Sequence, residues 1–324
     1  MKEYNYYSQL APYISGLIQQ KQSDGYIYQF EAYMLERFDR FCIENGYDNG
    51  CLTRDLVMAW AEQTPTESKN YRNQRVSFVR QLAFYMISLN IEVYIPRAFE
   101  SNTISAPHIL SSDEIHAFYK AVDNFLPFQP SFQRFSLSYS VLFRLFYYCG
   151  LRLAEGCCLK RSAVNFDNGC LSILQSKGNK DRVVFMSKDM TQMCKKYDNL
   201  MQKLIPDREW FFPGRDESRP FSKTSIDKKF SDFWNMTPYA GTVDKKPTIH
   251  SLRHTYVVMK MNEWMNGGKD FKVMVPYLSR YLGHTSVNET QYYYHQVISA
   301  FDIVRKCDSD ADKVIPEVIW YEEQ

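Results

Sequence analysis

The chain has 324 residues, of which 45% are apolar and 16% aromatic, and its formal net charge is +2. That length holds two domains with real cores, and the apolar fraction excludes a disordered or low-complexity chain. A net charge this small neither requires nor excludes a polyanionic partner, because such binding depends on where positive charge is placed.

No apolar run approaches the ~20 residues of a membrane span, so no membrane association is expected. The start, MKEYNYYSQL, lacks a basic leader followed by an apolar block, so no secretion signal is expected either. The eight cysteines form no C-x-x-C pair, and Cys157 and Cys158 are adjacent. They read as small core residues of a reducing cytoplasm, with no metal site and no cofactor expected.

In chain order, Lys2 to about Lys21 suits a first amphipathic helix, with Leu10, Ile14 and Ile18 at helical spacing. Ser23-Asp24-Gly25 is a turn. Ile27–Asn45 is a strong helix carrying Phe30, Met34, Phe38 and Phe41, with Gly46 as its stop. A third helix is expected from Thr53 to about Gln63. A fourth runs from about Glu67 to Leu89, with Lys69, Arg72 and Arg75 on one face and Val76, Val79, Ala83 and Met86 on another. A basic stripe opposite an apolar one suits a helix that packs inward and meets phosphates outward. Together these helices predict a small all-α domain over residues 1–95. Pro96 to Pro107 has no periodicity and reads as a linker, residues 96–109.

The second domain, 110–306, opens on a cap signal at Ser111-Ser112-Asp113-Glu114 and a helix near Asp113–Val122. A long apolar helix covers Phe135–Cys149, and Gly150 stops it. Arg152 therefore sits at the start of the next helix, Leu153–Leu159. The period then changes to two. Ala163–Phe166, Cys170–Leu174 and Arg182–Met186 read as strands joined by turns at Asp167-Asn168-Gly169 and Lys177-Gly178-Asn179-Lys180. A three-stranded antiparallel sheet thus interrupts a helical domain. Helices follow at Met190–Lys203, Thr224–Asn235, His250–Trp264, Val273–Leu282 and Glu289–Val297, with a short buried segment at Trp210–Pro213. The tail, 307–324, sets the apolar Val314–Trp320 behind an acidic spacer. It either docks on a neighbouring subunit or folds back on its own chain.

Several of these elements carry residues suited to one chemistry. Cleaving a phosphodiester builds negative charge on the phosphate oxygens, which arginine answers with a permanent charge and a bidentate fork. Arg152 and Arg253 are the candidates. A lysine on the turn, Lys177, can protonate the leaving oxygen. A tyrosine can form the covalent intermediate if a base takes its proton, and His250 is the candidate base. His284 can donate to a phosphate oxygen. Spacing in H-x-x-R puts His250 and Arg253 on one helical face, and Glu155 follows Arg152 by three on another. Taken singly, each of these residues is more often structural; their joint order carries the weight.

G-L-R-x-x-E, K-G-N-K-D-R, H-x-L-R-H-T, L-G-H-T-S and T-Q-x-Y-x-H, spanning Cys149–His295, resemble the boxes of the tyrosine recombinase (phage integrase) family. The resemblance implies a mainly α fold with a small three-stranded antiparallel sheet. It also implies two domains, a helical core-binding (SAM-like) domain and a catalytic domain, closing as a C-clamp around DNA. It makes Arg152, Arg253 and His284 the phosphate-binding set, Lys177 the general acid, His250 the proton-transfer partner and Tyr293 the nucleophile. Glu155 supports the set, and Lys180 competes with Lys177 for the acid role. Tyr292 and Tyr294 flank Tyr293 and leave a register to be fixed. Lys69, Arg72, Arg75, Lys180 and Arg182 are the expected DNA contacts.

The implied activity is site-specific recombination through a 3′-phosphotyrosyl intermediate, without metal or other cofactor. Integration or excision of a mobile element, or inversion, would be its task. Expected partners are double-stranded DNA with specific sites, three further copies in a tetramer, and an accessory bending or directionality factor. The expected location is cytoplasmic, with the nucleoid. A type IB topoisomerase-like enzyme and a non-catalytic architectural protein are the alternatives.

Overall fold

The computed structural model describes residues 4–47, 49–100, 107–127, 133–176, 180–284, 286 and 290. The chain divides into two compact units, Met1–Ser105 and Ala106–Gln324. Each is helical, and the second carries a small sheet.

The first unit holds α1 (Ala11–Ser23), α2 (Gln29–Glu44), α3 (Arg54–Trp60) and α4 (Lys69–Ser88). Its core gathers Ile14, Leu17, Leu35, Phe38, Leu56, Val57, Val79 and Leu82, one apolar stripe from each helix. The first helix starts nine residues later than its periodicity suggests. The chain ahead of it is pinned to the buried Asp39, which accepts hydrogen bonds from the backbone of Tyr7 and Ser8 and from the Ser8 hydroxyl. Pro12, in the first turn, tolerates the missing N–H there.

α3 stops at Trp60, short of the expected Gln63, because side chains from α4 satisfy its last carbonyls. Arg72 Nε donates to the Ala61 carbonyl at 2.6 Å. Arg75 donates to the Trp60 and Glu62 carbonyls. Cations at a helix C-terminus are favourable in any case. The residues after α4 belong to this unit as well. Phe99 lies under the Arg72 guanidinium, and the Pro96 carbonyl accepts from Arg80 Nε. The first residues of the expected linker, Pro96 to Phe99, therefore pack on this unit.

In the second unit, α5 (Ser112–Asp123) opens with a full capping box between Ser111 and Glu114. α6 (Gln133–Cys149) is the central helix. Phe143 and Phe146 are buried, and Phe143 meets Phe118, Phe230 and Phe233. α7 (Leu153–Cys157) leads to the sheet, β1 (Val164–Asn165), β2 (Cys170–Ser176) and β3 (Lys180–Phe185). The order is β1-β2-β3, antiparallel throughout, with Leu171 opposite both Val164 and Val184 and Ile173 opposite Arg182. Val164, Leu171, Ile173 and Val184 face the core, while Leu174, Val183 and Phe185 face outward. Four more helices complete the described part: α8 (Lys188–Leu204), α9 (Lys223–Asn235), α10 (Ile249–Asn266) and α11 (Phe271–Leu282). The helix expected at Glu289–Val297 and the tail lie outside the described residues, Thr290 excepted. Among the described residues no helix is long and apolar enough to cross a membrane.

Candidate active site

Two sharp corners and one helix start build the site. At the first corner α6 ends and Gly150 turns the chain at φ +62°. A Cβ there would sit 2.7 Å from Cδ1 of Tyr256, so glycine is required by both backbone and space. Arg152 then caps α7 in extended conformation. Its backbone N–H donates to Glu155 Oε2 at 2.8 Å, its Nη1 donates to Glu155 Oε1 at 3.0 Å, and its Nη2 donates to the Gly283 carbonyl at 2.5 Å.

Gly283 makes the second corner. Its N–H returns to the Arg280 carbonyl and the N–H of His284 to the Ser279 carbonyl, which closes α11 with Gly283 at φ +66°. The Leu282 and Gly283 carbonyls left by this turn point at the arginines. The buried Arg253, on the first turns of α10, donates to the Gly150 carbonyl at 2.5 Å and to the Leu282 carbonyl at 2.7 Å. Thus one guanidinium ties both corners together.

The buried His284 lies between two partners. Its Nε2 is 3.1 Å from Arg253 Nη2, and its Nδ1 is 2.6 Å from the Thr290 hydroxyl. Thr290 is fully buried. Arginine can only donate, so Nε2 accepts from Arg253 and the neutral ring carries its proton on Nδ1, which donates to the Thr290 hydroxyl. On α10, His250 is one turn before Arg253 and open to solvent. Partial burial and the charges of Arg253 and Arg152 push its pKa down, with Asp227 opposing. His250 therefore presents a lone pair at neutral pH, as a proton acceptor must. His254 is lowered further, to about 4, by burial and by His250 and Arg253.

The structure thus brings Arg152, Glu155, His250, Arg253 and His284 to one place. Lys177 and Tyr293 lie outside the described residues, and so does the side chain of Lys180, which opens β3. The remaining expected DNA contacts are engaged within the protein. Arg182 forms a fork with Glu155, Nη1 to Oε1 and Nη2 to Oε2, both at 2.7 Å, and its Nε donates to the Tyr281 carbonyl. Arg75 is buried, paired with Glu67 at 2.6 Å and stacked on Trp60. Arg72 caps α3, and Lys69 pairs with Glu100 at the surface. Within α4, Arg72 and Arg75 thus hold the carbonyls at the end of α3, whereas Lys69 is engaged only in a surface pair. Thr290 is the member that residue-by-residue reading passed over; its fixed place in the T-Q-x-Y box was the available signal.

Residues 108–298, more than half of the chain, match the phage integrase family. The integrase/recombinase-type protein y4rE of Sinorhizobium fredii is 28% identical over 88% of this chain and 91% of its own length. The tyrosine recombinase XerC of Chlamydia muridarum is 35% identical over 48% of this chain and 45% of its own. A lambda integrase tetramer solved on a Holliday junction is similar in fold, with a TM-score of 0.56 at 16% identity over 88% of this chain and 76% of that one. With its mainly helical, two-domain architecture and small antiparallel sheet, the chain belongs to the phage integrase family of tyrosine recombinases, whose members are DNA strand-exchanging enzymes.

Proposed function

We propose that this protein is a site-specific DNA recombinase that cleaves and rejoins strands through a 3′-phosphotyrosyl bond to Tyr293. The observation that supports this reading best is the pair of guanidiniums. Arg152 and Arg253 come from helix ends over one hundred residues apart, yet both are held by the Gly150–Arg152 and Leu282–His284 corners, beside His284 and His250. Such a set suits a phosphate whose charge grows in the transition state.

In this reading the Tyr293 oxygen attacks the phosphorus and its proton passes to His250. The P–O5′ bond breaks, and Lys177 protonates the departing 5′ oxygen. Arg152, Arg253 and His284 hold the non-bridging oxygens. A 5′ hydroxyl of another strand then attacks the phosphotyrosine and releases Tyr293. The number of phosphodiester bonds is conserved, so the cycle consumes no nucleotide. The task is integration or excision of a mobile element, or inversion, in a tetramer that clamps two duplexes, with the 307–324 tail joining neighbours and an accessory DNA-bending factor assisting. The protein works in the cytoplasm, at the nucleoid.

The test uses a pool of nicked duplexes with a randomised core. The protein should capture a defined subset as a covalent adduct. Tyr293→Phe should bind the captured duplex and form none. Adducts with Tyr293→Phe, or no adducts with the native chain, would remove this reading.

A further inference from the structure

We infer that Arg182 is a positioning residue for strand cleavage. It balances the charge of Glu155 so that Arg152 keeps its positive charge for the phosphate, and it touches no reacting atom itself. The inference rests on the recombinase reading above.

Strand alternation puts Arg182 on the same side of β3 as Val184, toward the interior. The side chains of Arg182 and Glu155 are each only 6% exposed, whereas that of Arg152 is 18% exposed. Glu155 accepts hydrogen bonds from both arms of the Arg182 fork, from Arg152 Nη1 and from the Arg152 backbone. One carboxylate thus serves two guanidiniums, leaving one net positive charge on the side that is more open. Were Arg152 alone with Glu155, the two would neutralise each other, and the buried carboxylate would hold Arg152 more tightly. Gly283 fixes this arrangement. A Cβ there would lie 3.1 Å from Arg182 Nη1 and 3.2 Å from Arg152 Nη1, so the two guanidiniums close around a position with no side chain. Through Nε and the Tyr281 carbonyl, Arg182 also fastens β3 to the end of α11.

The experiment is single-turnover cleavage of the duplex captured by the native chain, with the noncovalent Kd of that duplex measured in parallel. Arg182→Gln should cleave about 10- to 100-fold more slowly, the usual cost of misplacing a group that meets the transition state, with Kd changed less than about threefold. A duplex whose scissile 5′ oxygen is replaced by sulfur needs no general acid, so it should not rescue Arg182→Gln. Adding Glu155→Gln to Arg182→Gln removes the unbalanced carboxylate and should restore about tenfold. It also serves if the single variant folds poorly. Arg182→Lys, which keeps the charge, should fall between the native chain and Arg182→Gln. Native-rate cleavage by Arg182→Gln, rescue by sulfur, or no recovery with Glu155→Gln would overturn the inference while leaving the recombinase reading intact. No capture by the native chain would instead defeat both.

Discussion

Arg253 Nη2 lies 3.1 Å from His284 Nε2, and the same guanidinium reaches the carbonyls of Gly150 and Leu282. The arginine is thereby a fastener for two chain corners as well as a charge. Lysine concentrates its donors at one point and cannot reach both carbonyls and the imidazole together. Arg253→Lys should lose about 1–3 kcal/mol in urea unfolding, for a buried carbonyl left unsatisfied. Its single-turnover cleavage should fall about 10²- to 10³-fold, the usual cost of removing one preorganised charge-stabilising donor. Native stability in this variant would show that the fastening role is wrong.

Thr290 couples His284 to the box that carries Tyr293, three residues further on. Valine matches its shape without the hydroxyl and leaves His284 Nδ1 without this 2.6 Å partner. Thr290→Val should slow cleavage by about 10- to 100-fold through a misaimed ring, whereas Thr290→Ser should stay close to the native rate. Equal rates for the two variants would mean that the hydroxyl does not orient His284.

The basic face of α4 gives a different kind of expectation. Arg75 and Glu67 are each almost fully buried, and the hydrogen bond from Arg75 holds the Glu67 carboxyl below its usual range. Arg75→Ala strands that carboxylate and uncaps α3, so it should destabilise the protein by about 3–5 kcal/mol. Lys69→Ala breaks only an exposed pair and should cost less than about 1 kcal/mol. Chemical denaturation of both variants decides. A small cost for Arg75→Ala, together with a shallower salt dependence of DNA binding, would return Arg75 to the phosphate-contact role.

These cases show where the sequence was legible. Helix positions followed apolar spacing, and the sheet followed the change of period and the turn residues at Asp167–Gly169. The H-x-x-R and L-G-H boxes marked Arg253 and His284 correctly as neighbours of Arg152, because fixed spacing on a helix or after a glycine survives folding. What the sequence hid was the use of each charge. The carboxylate partners of Arg75 and Arg182 were not legible, because a cation's partners are distant in sequence. Glu67 precedes Arg75 by eight residues, and Glu155 precedes Arg182 by twenty-seven. The alternation of β3 carried a hint, since an arginine in phase with Val184 must find a buried partner. The start of α1 was likewise set by Asp39, thirty-one residues beyond Ser8.

The histidines of α10 give a pH test. His254 is held at about 4, against an ordinary 6.5, by burial and the neighbouring cations. Between those values the unfolded chain binds a proton that the folded chain does not, so unfolding draws on protons and stability rises with pH. The contribution is fully present above pH 6.5 and is lost as pH falls toward 4. By pH 4.5 the loss from this one group should reach about 2–3 kcal/mol. His254→Asn has no such proton to bind. Urea unfolding at pH 7.5 and pH 4.5 should therefore show a smaller drop for His254→Asn than for the native chain, by about that amount. Parallel losses in the two proteins would mean that His254 takes up its proton equally well folded and unfolded, and that the cations around it do not act on it as described.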